Sequence, residues 1–176
     1  DSGVVSMMAG KTSKGVYRTY LMFMDLYANT KGKYIDSATL TMYETASSKS
    51  GQTISAHKVN KSWKSTELTW NSRPSCNTSY YSSVKTTGTT GKARTLDLTT
   101  YVKNVASGSI SNYGIMLRNQ SETSSYGQFY GARHGTAANR PKLSVVYYDK
   151  PTLASKVTVS PEYGQKGSEV TVNWSG

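Results

Sequence analysis

The chain has 176 residues, with 21 Lys and Arg against 10 Asp and Glu, 14 Tyr, three Trp and a single Cys. That length holds one ordinary domain plus a fragment, enough to bury roughly 70% of the unfolded surface without staples, and the lone Cys76 excludes an internal disulfide framework or a multi-thiolate zinc site. The net charge of +11 points to a polyanionic partner or to a basic surface without one, and carries no information about fold.

No apolar stretch approaches the ~20 residues of a membrane-spanning helix, so membrane insertion is not expected. Asp1 is not an initiator Met and no signal peptide is visible, so the sequence reads as a piece of a longer protein.

In chain order, Val16–Leu26 reads as one long strand, with Leu21 and Phe23 inward and Arg18, Tyr20, Met22 and Met24 outward. Ala38–Tyr43 reads as a second strand, with Ala38, Leu40 and Met42 on one face, and Ile54–Val59 as a third. Residues 29–32 and 47–51 have loop composition. One short helix is expected after a cap at Thr99 or Thr100, with Val102 and Val105 on its inner face and Gly108 closing it in a left-handed conformation. Ile115–Arg118, Gly127–Arg133 and Lys142–Tyr148 supply further strands. Short strands at this spacing with almost no helix predict an antiparallel sandwich or barrel.

The composition shifts at residues 149–152. Beyond it, 156–161 and 169–174 read as two alternating strands, and two strands alone are not stable in water. They are expected to begin an immunoglobulin-like domain, with a last edge strand of the main domain as the alternative. The expected division is a β-sandwich module over 1–149 and a linker with the truncated second domain over 150–176.

Several motifs then fall in a familiar order: Tyr17–Phe23, Ile35–Leu40, Val59-Asn-Lys-Ser-Trp63, Leu68-Thr-Trp-Asn-Ser-Arg-Pro74, Leu96–Val102, Asn112–Leu117 and Arg140-Pro-Lys-Leu143. Together they resemble the DNRLRE-type domains grouped with family-96 carbohydrate-binding modules, over roughly residues 7–148. The resemblance implies a jelly-roll-like antiparallel β-sandwich on large secreted or cell-surface bacterial or archaeal proteins. Some such modules accompany polysaccharide lyases and bind acidic glycans. The family's usual extra opening strand, before Met8-Ala-Gly10, is barely represented here. No family binding residues are carried over, because the matched motifs look structural.

Trp63 and Trp70 lie inside these framework motifs and are expected in the core, with 71–74 a turn in which Asn71 bonds its own backbone. The ligand-binding candidates are instead polar and aromatic residues on outward positions: Arg18, Tyr20, Lys58, Arg118, Gln128, Tyr130 and His134, with Lys142 able to join them. Arg grips a carboxylate or sulfate with two parallel bonds, and Tyr offers a flat apolar face with a polar tip. Each is weighed against an ordinary solvated sheet face.

Catalysis is not expected. Gly10-Lys11-Thr12 lacks the glycine five residues upstream that a phosphate loop needs, since Val5 stands there. Asp25, Asp36, Glu44 and Glu67 are too scattered for a glycosidase pair; Asp36 and Asp97 are read as pinning turns or helix starts. His57 and His134 form no metal-ligand cluster, no Gly-x-Ser-x-Gly elbow occurs, and Cys76 has no nucleophile context. No cofactor is expected. The leading expectation is a non-catalytic module binding an acidic polysaccharide or cell-wall glycan, covalently linked to neighbouring domains. A structural spacer without a ligand is the alternative. Nucleic-acid binding rests on charge alone and has no aromatic RNA-binding signature beside it.

Overall fold

A computed structural model describes residues 6–123 and 125–149. The strands expected over 156–161 and 169–174, and with them the immunoglobulin-like start, lie outside the described residues. The elements in chain order are β1 (Ser6–Thr12), β2 (Gly15–Tyr17), β3 (Thr19–Leu21), α1 (Leu26–Thr30), β4 (Lys33–Tyr43), β5 (Thr53–Val59), β6 (Cys76–Lys85), β7 (Ala93–Asp97), α2 (Thr99–Ala106), β8 (Ile115–Asn119), β9 (Tyr126–Tyr130) and β10 (Lys142–Asp149), with one 3-10 turn at Ala137–Asn139.

The strands form antiparallel ribbons in the orders β2-β1-β9, β10-β4-β7 and β3-β8-β5-β6. A bridge between Glu44 and Phe129 joins the first two. The apolar rows Met7, Ala9 and Phe129, then Ala38, Leu40, Met42 and Leu96, meet Ile54, Ala56, Ile115 and Leu117 in one buried cluster. This is the expected all-β sandwich, and Leu21, Phe23 and Leu143 pack against that cluster as their parity requires.

The helix also forms, but its cap is Leu98, with no side-chain capping bond, rather than Thr99 or Thr100, which lie in its first turn. Val102 and Val105 are buried, and Gly108 adopts φ 76° just past the end. Its first turn is held by Asp97, whose carboxylate accepts from the Thr99 amide at 2.8 Å and the Thr99 hydroxyl at 2.6 Å. Those bonds hold the Asp97 carboxyl below the usual range. Asp36, by contrast, sits within β4, exposed, where the pairing with β10 slips between Val146 and Tyr147.

Two further expectations fail here. Residues 16–26 do not form one strand. The chain breaks at Arg18, so β2 pairs with β1 while β3 pairs with β8 in another sheet, and the segment then turns through Asp25, at φ 58°, into α1. Alternation of side chains is a property of each strand, and pairing partners decide where one strand stops. Nor are the tryptophans in the core. Trp63 is half-buried and Trp70 is 48% exposed, because both belong to the long loop 60–75 rather than to a strand.

Candidate functional site

The outward face of the β3-β8-β5-β6 sheet is roofed over part of its width by that loop. Register places Tyr20 opposite Met116, Met116 opposite His57, and His57 opposite Tyr80. Met116 and His57 are buried even though their parity points away from the core. The loop is pinned from several sides. The indole Nε1 of Trp63 donates to the Tyr113 carbonyl at 2.8 Å, its ring meets Tyr20 edge-on at 5.7 Å between centroids, and the Tyr20 hydroxyl donates to the Pro74 carbonyl at 3.3 Å. The turn bonding expected of Asn71 is done by Ser72, whose hydroxyl accepts from the Thr69 amide at 2.9 Å.

At the rim of this roof two arginines meet one carboxylate, with a third nearby. Arg18, at the seam between β2 and β3, donates through Nε and Nη2 to the two oxygens of Glu122 at 2.8 and 2.7 Å. Arg118, at the end of β8, reaches the same carboxylate at 3.5 Å. Its Nε is buried and without a hydrogen-bond partner among the described residues. Arg73 comes from the loop, close enough to Glu122 to bias its charge. The Arg73 guanidinium lies 3.9 Å from the centroid of the Trp70 ring, and Arg18 5.4 Å from it, while Arg73 Nη1 also donates to the Trp70 carbonyl.

The electrostatics follow from this crowding. The hydrogen bonds from Arg18 hold the Glu122 carboxyl below its ordinary value, and the same pairing raises Arg18. Burial, reinforced by the Cys76 thiol beside it, pushes the Tyr20 phenol up to about 12. Burial also raises Cys76, so this thiol is held in its protonated, unreactive form. His57 is held down by burial first and by Arg118 and Arg18 as well. The neutral ring uses both nitrogens, Nε2 with the Ser55 hydroxyl at 2.9 Å and Nδ1 with the Asn77 carbonyl at 2.9 Å. Three guanidiniums against one carboxylate leave two positive charges around a half-exposed indole. Such a surface can grip an anionic group through planar forks and pack a flat apolar face on the ring.

Of the seven expected residues, the structure brings together Arg18, Tyr20 and Arg118. It does not bring the others to them. Lys58 shares the parity of Ile54 and Ala56 and stands opposite Ile115, on the other face of the sheet from Arg118. Gln128 lies in β9, its amide engaged with Thr45 and Ser6 at 3.1 Å each. Tyr130, at the end of that strand, stacks on His134 at 4.2 Å between ring centroids. Arg73, Trp70 and Glu122 were missed. The Trp-x-x-Arg spacing over 70–73 was visible but read as framework, and the spacing of Arg118 and Glu122 carries meaning only once the chain is known to turn between them.

A family model, carbohydrate-binding module family 96, matches residues 4–147. The chain belongs to carbohydrate-binding module family 96. The match runs from β1 to Tyr147 within β10 and leaves 148–176 outside it. Family 96 is a carbohydrate-binding class, and such modules are non-catalytic in general. No curated protein matches the chain. Among the described residues of this family-96 module, no helix is long and apolar enough to cross a membrane, and no group of three or more His, Cys, Asp or Glu is placed to hold a metal ion.

Proposed function

We propose that this family-96 module binds an acidic polysaccharide on the Arg18–Arg73–Arg118 rim around Trp70, as a non-catalytic part of a larger secreted or cell-surface protein. The observation that carries the reading is the surplus of three guanidiniums over the single Glu122 carboxylate beside an exposed indole. The net charge of +11 adds a long-range field that draws polyanions toward the surface. Residues 150–176 are, in this reading, the linker and first strands of an immunoglobulin-like neighbour.

Isothermal titration against polygalacturonate and a neutral glucan, each at low and high salt, tests the proposal. Binding should be selective for the acidic polymer and weaken as salt rises, because screening acts on the Coulomb part. Equal affinity for both polymers would falsify the electrostatic reading. The second reading, a spacer without a ligand, is favoured by the bidentate bond that already occupies Arg18. It predicts no binding to either polymer.

A further inference from the structure

The arginine rim is not the only polar feature at this sheet. A cleft of about 470 Å³ opens where β5 begins and β8 ends, lined by Gln52, Thr53, Asn119, Gln120, Ser121 and Thr123 among others. We propose that this cleft is a second sugar subsite that reads ring hydroxyls rather than charge, and that it continues the arginine rim along one polysaccharide chain. The proposal rests on the reading of the module as a glycan binder.

The volume falls within the ~300–1,000 Å³ of small-molecule sites, yet the lining inverts their usual chemistry. Its described side chains are amides and hydroxyls, with no charged and no aromatic group. Each amide offers both donors and an acceptor, and each hydroxyl offers both roles. A ligand matched to such a wall is covered in groups that also donate and accept, which is the surface of a pyranose ring.

The walls are set before any ligand arrives. Asn119 is 1% exposed; its Nδ2 donates to Gln52 Oε1 at 2.7 Å and to the Ser125 carbonyl at 3.4 Å, and its Oδ1 accepts from the Ser121 amide at 3.2 Å. Gln52 Nε2 donates in turn to the Ser50 carbonyl at 3.0 Å. The Ser121 and Thr123 hydroxyls share a bond of 3.1 Å, and the Gln120 amide donates to the Thr53 carbonyl at 2.9 Å. Fixed partners reduce the ordering cost of binding. The Gln120 side chain, exposed on the rim, has no hydrogen bond among the described residues and is free to reach a ligand.

Position links the cleft to the rim. Ser121 and Thr123 line the cleft, and Glu122 between them carries Arg18 and Arg118. Neighbouring Cα atoms lie about 3.8 Å apart, so the two sites adjoin on one loop. A polymer seated on the rim presents its next ring to the cleft at high effective concentration.

The test is a titration of the 15N-labelled chain with galacturonide oligomers of increasing length and with their methyl esters, which keep the hydroxyls and lose the charge. The side-chain amide signals of Gln52, Asn119 and Gln120 should shift with both probes, and affinity for the acid should climb several-fold with chain length. The double variant Gln120→Ala, Thr123→Ala, at two exposed positions, should bind the shortest oligomer as the natural chain does and lose that gain. Amides that stay still with both probes, or a double variant that tracks the natural chain at every length, would overturn the proposal. Amides that shift with the ester, beside acid binding that ignores salt, would keep the cleft and remove the charge reading of the rim.

Discussion

Two glutamates in this sandwich meet arginine in opposite ways. Glu44 continues the inward row of Ala38, Leu40 and Met42 and is fully buried. Its carboxylate accepts from the Thr87 amide at 2.8 Å, the Thr87 hydroxyl at 3.0 Å and the Gly88 amide at 2.7 Å, with Arg94 Nε 3.1 Å away. Its own backbone bonds Lys92 and Gly91, so the loop between β6 and β7 is wound around that anion. Glu122 is also held by arginines, but there the cations outnumber it. A buried charge whose two oxygens both accept hydrogen bonds from the chain serves the fold. A largely buried carboxylate outnumbered by arginines leaves positive charge for something else to meet.

The contrast is sharpest in variants. Glu44→Ala leaves Arg94 and two backbone amides without their partner, and breaking a buried pair costs roughly 3–5 kcal/mol. Thermal denaturation should show the melting point fall by about 10 °C or more, and a fall of only a degree or two would refute the structural role. Arg118→Ala should leave the melting point near that of the natural chain and weaken binding to polygalacturonate about tenfold, or ~1–2 kcal/mol, the scale of a charge-assisted bond.

Glu122→Gln separates the two regions directly. Removing the internal anion should raise affinity for the acidic polymer by about threefold, a change of under ~1 kcal/mol. Lower affinity together with a lower melting point would place Glu122 in the same class as Glu44. Smaller again is the pH response. Burial holds His57 below its ordinary value of 6.5, so the unfolded chain takes up that proton first, and the contribution is present above about pH 6.5 and lost as pH falls. Glu122 is held below 4.5, so its contribution is present above that value and lost at more acidic pH. Melting curves against pH should therefore show two acid steps, the upper absent in His57→Gln. Tyr130→Ala, away from the rim, should leave affinity unchanged.

Much of the sandwich was legible because burial repeats along a strand. Ala38, Leu40 and Met42 alternate, and Val102, Val105 and Gly108 mark the helix. Followed one step further, the same row would have put Glu44 inside. The rim was harder to read. Arg18 and Arg118 were found as outward positions, but parity cannot show that a loop roofs the outward face and buries His57 and Met116. Trp63 and Trp70 carry the size of core residues, yet their place is fixed by bonds to Tyr113 and Arg73 from distant parts of the chain. Lys58 shows the converse: a charged residue looks outward by type, although its strand register puts it on the inner face near the end of β5.

The exposed indole between two guanidiniums also makes the rim its own spectroscopic probe. Of the three tryptophans in the chain, Trp63 is tied by its Nε1 to a carbonyl beneath the loop, while Trp70 stands half in water beside Arg18 and Arg73. Iodide, drawn by the local positive potential, should quench Trp70 more strongly than neutral acrylamide does. An acidic glycan settling on that ring would shield it from both quenchers, so the module's own fluorescence reports occupancy without a label.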